Sequence, residues 1–338
     1  MSITSALNAA GAGLTSSQTL SQVTADNVAN AMTPGFVRRR AVLVSPGVGQ
    51  GGAVVAEIRR EVDASLSRMA RLENGKMMRQ QAVYESLQNY TIYLGQPGDG
   101  ISPADKFSAF NTSLTTLVNL PSSTNAQSGT VLAASDLASS IRGTNGTLAN
   151  VRADVDMEIR YEVADLNQNL YDLAALNQST RNFRPGTSEA AQFADQIDKV
   201  LDQISDVVDI RITSGVDGAV NVYTTGGASL LEGNRVYDIT YNPGDGSLYA
   251  GEQNITPGEP GVHGIDQGSL AGFIELKRDI IPRFQLQLDE YARGLMQAFE
   301  GSDTSLTAGQ AGLFTDAGFA YDPARLEGLA GRIEINDA

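Results

Sequence analysis

The chain contains 338 residues, with 39 Asp and Glu against 24 Lys and Arg and a net charge of −15. It has no Cys and one His, which excludes disulfides, Cys-containing zinc sites and cysteine nucleophiles. We expect no catalytic residue, cofactor or metal. The acidic balance argues against a nucleic-acid partner, because phosphate neutralisation needs clustered cations. No run approaches the roughly 20 apolar residues that cross a bilayer, so we predict no membrane insertion.

Residues 1–32 are predicted to form a helix with a sparse apolar stripe. Ile3, Leu7 and Leu14 fall on one face by their spacing, but the middle of that face is small or hydroxylated. Three aliphatic side chains cannot offset the cost of ordering so long a segment. We therefore expect the segment to be poorly ordered alone and to become helical against partners. Pro34-Gly35 should end it.

The following residues alternate between strand-like and helical patterns. Strands are predicted at residues 37–44 and 53–57, and helices at about 62–94, 104–119, 125–179 and 189–205. The first of these helices has an apolar stripe formed by Val62, Leu66, Met69, Val83, Leu87, Tyr90 and Leu94. Short alternating runs at 208–212, 219–223, 237–241 and 248–250, separated by Gly- and Pro-containing turns, indicate a small all-β module. Residues 270–300 return to helix, with Pro282 kinking its start. This order indicates a β insertion within a helical domain.

The longest predicted helix, residues 125–179, has a sustained apolar stripe. It consists of Leu137, Ile141, Leu148, Val151, Val155, Ile159, Val163, Leu166, Leu170 and Leu173. An extra spacing of four between Val155 and Ile159 is a stutter that would locally unwind a left-handed supercoil. A helix this long suits a rod-shaped bundle better than a compact enzyme core.

The predicted fold class is mainly α with a β insertion, in an elongated multi-domain rod. Residues 1–36 would form an N-terminal axial helix. Residues 37–206 and 264–338 would form a discontinuous helical-bundle domain with short strands, and residues 207–263 a small all-β domain.

One glycine motif matches the dinucleotide-binding fingerprint. Gly47, Gly49 and Gly52 have the required spacing and follow a predicted strand. The fingerprint needs a helix to start at the third glycine, so that its N–H groups hold the pyrophosphate. Residues 53–56 are strand-like instead. We interpret the motif as a structural turn and keep a dinucleotide-using enzyme as the less favoured alternative.

Three other groups of residues could either form a functional site or have an ordinary structural role. Asp154, Asp156 and Glu158 could suggest calcium, but alternate helix positions diverge, which favours a solvated face. His263 lies in a Gly- and Pro-rich loop with no nucleophile motif, which favours a surface role. The three consecutive arginines at positions 38–40 would either bind an acidic partner or face solvent.

The segment 20–36 reads LSQVTADNVANAMTPGF. It resembles the N-terminal signature of the bacterial flagellar axial proteins of rod, hook and hook–filament junction, roughly hydrophobic-x-x-x-S-x-N-I-A-N-A-x-T-P-G-F/Y. The matching positions are Asn27, Val28, Ala29, Asn30, Ala31, Thr33, Pro34, Gly35 and Phe36. Asn27 and Asn30 lie one helical turn apart, so both amides can bond neighbouring backbone.

Later segments narrow the resemblance to one member of that superfamily. A long, mainly helical stretch follows the signature, as in the hook-associated protein 1 family, whereas rod and hook proteins pass quickly into β-rich domains. Residues 207–231 and 268–279 also resemble that family. Phe36-Val37-Arg38 is closer to rod and hook usage. Family members end in a second long helix that pairs with the first, and this chain stops at 331–338, so we expect a truncated chain.

The resemblance implies a non-enzymatic structural subunit that joins the flagellar hook to the filament, with a hook or rod subunit as the alternative. Its partners would be copies of itself, the hook protein, the next junction protein, the export apparatus and an export chaperone. The resemblance also implies an extracellular location and export without a cleaved signal peptide. Residues 1–25 carry no charge and hence no basic signal region. A free coiled-coil adhesin is a third alternative. The expected assembly interface is Ile3, Leu7, Leu14, Asn27, Val28, Asn30, Thr33, Pro34, Gly35 and Phe36.

Overall fold

The computed structural model describes residues 3–45, 52–95, 98–215, 218–307 and 309–336. The chain is mainly α-helical with small antiparallel sheets, which confirms the predicted fold class of an α protein with a β insertion. It divides into two compact units, Met1–Arg79 with Tyr161–Ala271 and Gln80–Arg160 with Gly272–Ala338. The predicted three-part domain division stays a prediction. No described helix is long and apolar enough to cross a membrane.

The first unit begins with a helix and a β-hairpin. Helix α1 spans Ile3–Ala29, strand β1 Arg39–Val44 and strand β2 Val54–Arg60. The two strands are antiparallel, and their register shifts between Val42 and Leu43. The turn after α1 contains Gly35 at φ +79°, a left-handed conformation that glycine adopts without strain.

The β1–β2 hairpin contains the glycine motif that matches the dinucleotide-binding fingerprint. Gly47 and Gly49 lie outside the described residues. Gly52 is followed by strand β2 from Val54 onward, where a pyrophosphate-binding site would need the N-terminus of a helix. The structural-turn interpretation therefore fits the described part of this segment.

Four helices account for most of the chain between the hairpin and the β insertion. They are α2 (Ala64–Leu94), α3 (Pro103–Asn119), α4 (Thr124–Thr180) and α5 (Ser188–Val207). All ten apolar residues of the predicted α4 stripe are buried, because a sustained 3/4 spacing keeps them on one face. The first half of the predicted α2 stripe is different: Leu66 and Met69 are 66% and 63% exposed.

The predicted β insertion is present in the first unit as two antiparallel sheets. One contains β3 (Ile210–Ser214), β4 (Val220–Thr224), β5 (Ser229–Glu232) and β6 (Arg235–Val236) in sequential order. The other contains β7 (Ile239–Asn242), β8 (Ser247–Ala250) and β9 (Gln253–Asn254). The sequence predicted β3, β4, β7 and β8 but missed β5, β6 and β9, because β6 and β9 have only two residues and the Ser-Leu-Leu-Glu of β5 does not alternate.

The predicted helix at 270–300 is interrupted just before Pro282. Helix α6 spans Ser269–Glu275, a π-helical turn covers Leu276–Ile280, and α7 runs Ile281–Ser302. Proline lacks the N–H that continues the α-helical ladder and its ring crowds the preceding turn. The chain accommodates this with the wider π-helical turn, a common form of helix irregularity.

The second unit has an aromatic core. The rings of Phe110, Phe299 and Phe314 lie with centroids 5.3–5.7 Å apart, two of the three pairs edge-to-face. Phe314 begins β10 (Phe314–Asp316), which pairs with β11 (Ile333–Ile335) in the same unit. This cluster joins α3 and α7 to the short hairpin through the most favourable ring geometries.

Candidate assembly surface

Helix α1 presents small residues to the hairpin. Ser16 and Val23 are its buried residues, and the Ser16 hydroxyl donates to the Ala53 carbonyl at 2.6 Å. A Cβ on Gly52 would lie only 3.0 Å from the Ala9 carbonyl oxygen. The close approach between helix and hairpin therefore depends on small side chains and on a glycine.

The apolar stripe of α1 points away from the hairpin. Ile3, Leu7, Leu14 and Val28 are 90%, 71%, 64% and 73% exposed. The structure thus brings these four predicted interface residues onto one uncovered face, called the α1 stripe below. Exposed apolar residues aligned on one face are a feature of surfaces that bind a partner.

The two signature asparagines act within the chain. The Asn27 side chain donates from Nδ2 to the Arg39 carbonyl at 2.8 Å and accepts from the Arg39 N–H at 2.8 Å. Asn30 Nδ2 donates to the Asp26 carbonyl at 3.0 Å. Both amides bond backbone, as their spacing predicted. Asn27 holds the helix to the start of β1, and Asn30 extends the last helical turn.

The remaining signature residues form the corner between helix and strand. Thr33, Pro34 and Gly35 are exposed, and the Thr33 hydroxyl donates to Asn30 Oδ1 at 3.4 Å. Phe36 is half-buried with the Arg39 guanidinium 4.9 Å from its ring centroid, within cation–π range. Their role in contacts between subunits stays a prediction.

An ion-pair ladder fixes the hairpin to α5. Asp195 Oδ2 lies 2.8 Å from Arg39 Nη2, and its Oδ1 lies 2.7 Å from Arg60 Nε. Asp198 pairs with Arg60 at 2.6 Å and with Arg71 at 3.0 Å. Because Asp195 and Asp198 are three residues apart on α5, one helix face supplies both carboxylates.

The ladder corrects the reading of the arginines at 38–40. The Arg39 side chain is only 8% exposed, so the solvent-facing alternative is wrong for this residue. Its acidic partner is Asp195 of the same chain. Sequence reasoning missed the pair because the two residues are 156 positions apart and no local pattern connects them.

The acidic residues at 154–158 and His263 are the remaining candidates from the sequence. Asp156 Oδ1 lies 2.5 Å from Lys277 Nζ, so this carboxylate is not solvated as predicted, while Asp154 and Glu158 are exposed. No group of three or more His, Asp or Glu among the described residues is placed to hold a metal. His263 is exposed in a loop, as the sequence predicted.

Asp206, in the first unit, is a partly buried carboxyl group with a raised pKa. Burial raises the pKa of Asp206, a hydrogen bond from Asn74 lowers it, and the charge of Asp202 raises it further. The net shift is upward from the ordinary value of 3.8. Asp206 lies on α5 near the end of the ladder, and its burial disfavours the folded state when the carboxyl group is ionised.

A family model decides the identity of the chain. Residues 89–310 match the model of the flagellar hook-associated protein FlgK helical domain. The match covers well over half of the chain. The chain belongs to this family. The predicted membership of the hook-associated protein 1 family is therefore confirmed, and a hook or rod subunit is not favoured.

Individual relatives agree with the family match. Flagellar hook-associated protein 1 of Bacillus subtilis (strain 168) is 26% identical over 380 residues, covering 98% of this chain and 74% of that protein. Flagellar hook-associated protein 1 of Escherichia coli (strain K12) is 22% identical over 327 residues, covering 91% of this chain and 59% of that protein. The chain thus spans part of the length of each relative.

A solved structure supports the fold. The flagellar hook junction protein FlgK from Burkholderia pseudomallei superposes with a TM-score of 0.58 at 19% identity. The alignment covers 75% of this chain and 46% of that protein. At this identity the likeness shows a shared fold, and the family membership rests on the sequence match.

Proposed function

We propose that this chain is a non-enzymatic structural subunit of the bacterial flagellum that joins the hook to the filament. The α1 stripe is the observation that carries the proposal. Four aliphatic side chains on one helix face are exposed to water in the single chain. Burying each of them in an assembly stabilises that assembly by about 2 kcal/mol. The relatives are named hook-associated protein and hook junction protein, which supports an assembly at the hook.

The absence of charge in residues 1–25 supports packing of α1 among its neighbours. Each copy carries a net charge of −15, so close approach of copies is opposed by repulsion. The part of α1 before Asp26 can be surrounded by identical helices without leaving a carboxylate or ammonium group buried. We expect Ile3, Leu7, Leu14 and Val28 to lie at these contacts.

Assembly would couple burial of the stripe to ordering of the segment. The helix is held to its own chain by Ser16, Val23 and Asn27, so much of its stabilisation must come from partners. Segments that order on binding lose conformational entropy at that moment. This permits export in an extended state without a cleaved signal, followed by folding outside the cell in the growing flagellum.

The corner from Thr33 to Phe36 would set the angle between the axial helix and the rest of the subunit. Asn27 and the Arg39–Asp195 pair fix β1 on both sides of this corner. Contacts between identical copies around a tube are heterologous, which produces rings or helical arrays with continuing ends. The partners would be further copies, the hook protein and the next junction protein, with the export apparatus and a chaperone acting before assembly.

Deleting the gene tests the function. The mutant should carry hooks without filaments and release flagellin into the medium, because the first junction layer is missing. Complementation with Leu7→Gln and Leu14→Gln together should fail, whereas Leu286→Gln, a 53% exposed leucine of α7, should restore filaments. Normal filaments on the deletion strain would contradict the proposed function.

A further inference from the structure

The β1–β2 hairpin places two pairs of arginines on opposite faces. Arg39 lies directly opposite Arg60, and Arg40 directly opposite Arg59. Residues opposite each other in an antiparallel pair share a face, and successive residues alternate between faces. Arg39 and Arg60 therefore form an inner pair, and Arg40 and Arg59 an outer pair. Like charges directly opposite each other destabilise a sheet unless a counter-charge is supplied.

The inner pair has its counter-charge. Asp195 reaches both arginines, with Oδ2 at 2.8 Å from Arg39 and Oδ1 at 2.7 Å from Arg60. A single carboxylate at the centre of the pair thus bridges both guanidinium groups. Charge-assisted hydrogen bonds of this kind are the strongest that side chains make.

The outer pair has no bridging carboxylate in the described part of the chain. Arg59 is 68% exposed and pairs with Glu57, two residues away on the same strand. On the same face Arg38 pairs with Glu61 at 3.4 Å. Arg40 is exposed, and no ion pair to a described carboxylate accompanies it. This face therefore carries one arginine more than it has acidic partners.

The hairpin belongs to the basic part of an acidic chain. Residues 37–79 contain nine Lys and Arg against four Asp and Glu, a net charge of +5, whereas the whole chain carries −15. A second copy therefore presents a mostly acidic surface to this segment. Complementary charge favours contact between the basic segment of one copy and an acidic face of another.

The long helix α4 carries such an acidic face. Asp154, Glu158, Asp165 and Asp172 are all exposed. Their spacings of four, seven and seven keep them on one side of the helix; we call them the α4 acidic stripe. Tyr161, 64% exposed, lies on the same side. The inner pair already binds a helix, α5, through carboxylates at comparable spacing.

We propose that Arg40 and Arg59 of one copy bind carboxylates of the α4 acidic stripe of a second copy. In this contact, carboxylates of a helix in one copy bind the outer arginine pair of another copy, as Asp195 of α5 binds the inner pair within one chain. It joins different surfaces of the two copies, so it is heterologous and adds subunits in succession. The inference rests on the proposed function, because it names a contact between subunits of the polymer.

The absence of cysteine from the chain allows a direct test by site-specific cross-linking. Val42→Cys lies on the outer face of the hairpin and Tyr161→Cys lies on the α4 acidic stripe. A chain with both changes, incorporated into hook–junction particles isolated from complemented cells, should give a ladder of multimers with a short bis-maleimide. A chain with Val42→Cys and Leu286→Cys serves as the control and should give none.

Charge reversal is the second test of the proposed contact. Arg40→Glu with Arg59→Glu should reduce the fraction of cells with filaments at least tenfold, and Asp154→Lys with Glu158→Lys in the same chain should restore it. Arg68→Glu, an exposed arginine of α2, should have no effect. Absence of the Val42–Tyr161 ladder, or filaments unaffected by reversal of both arginines, overturns the proposal. If the deletion strain still lacks filaments in that case, the proposed function stands and only this contact is wrong.

Discussion

The side-chain amide of Asn27 takes the place of a neighbouring strand at the free edge of β1. Its Nδ2 donates to the Arg39 carbonyl and its Oδ1 accepts from the Arg39 N–H, both at 2.8 Å. Free edges attract other strands, and covering them is a common means of preventing unwanted pairing. The same two bonds fix where α1 ends relative to the hairpin, at the corner that the signature residues form.

Asn27→Ala should lower the free energy of unfolding of the first unit by about 2 kcal/mol, because two backbone groups lose their partner. Hydrogen exchange at the Arg39 amide should accelerate correspondingly. Gln22→Ala is the matched control, since among the described residues the Gln22 side chain donates to the Asp26 side chain in a solvent-exposed hydrogen bond. Unchanged exchange at Arg39 would show that the amide clamp contributes nothing.

Asp195→Asn should destabilise the first unit by about 3 kcal/mol, because Arg39, with an 8% exposed side chain, loses its counter-charge and Arg60 keeps only its pair with Asp198. Chemical denaturation of the purified chain measures this. Asp202→Asn provides the comparison, since Asp202 pairs with Arg71 but is 58% exposed and its loss should change stability by less than about 1 kcal/mol. Equal effects of both changes would argue against a special role for the buried position.

Asp206→Asn should stabilise the chain at neutral pH. Burial raises the pKa of Asp206 in the folded state, so its ionised form disfavours folding above that pKa. As the pH falls through the raised pKa towards 3.8, the native carboxyl takes up its proton earlier than the unfolded one and this penalty disappears. The gain in melting temperature should therefore be largest near pH 7 and shrink in acid.

The hydrogen bond from Asn74 to Oδ1 survives in the Asp206→Asn variant, because an amide oxygen also accepts. The exposed Asp165→Asn serves as a control and should leave the melting temperature unchanged at both pH values. A stabilisation by Asp206→Asn that is the same at pH 4 and pH 7 would contradict the burial argument.

Gly268→Ala should disrupt the start of α6. Gly268 has φ +96°, and a Cβ there would lie 2.2 Å from the Val207 carbonyl oxygen. We expect a loss of more than about 3 kcal/mol, from left-handed strain and a backbone clash together. Gly261→Ala separates the two causes, because Gly261 has φ +77° but no atom within 4 Å of its Cβ. Its cost should be about 1 kcal/mol in a thermal melt.

Local periodicity predicted the long helices well. The buried stripe of α4 follows from spacing alone, since each residue's direction on a helix is set by its neighbours in sequence. The same reasoning found α3, α5 and the interruption at Pro282. It missed β5, β6 and β9, whose pairing depends on partners elsewhere in the β insertion. On the first half of α2 it predicted a stripe, and Leu66 and Met69 of that stripe are largely exposed.

The sequence by itself determined the family signature at 20–36, the apolar spacing of Ile3, Leu7 and Leu14, and the lack of charge in residues 1–25. Only the tertiary structure decided which face of α1 is covered, because small residues such as Ser16 approach the hairpin more closely than leucines can. It likewise decided that Arg39 is buried against Asp195 while Arg40 is exposed. Adjacent residues on a strand point to opposite faces, and what each face meets is set by chain segments far away in sequence.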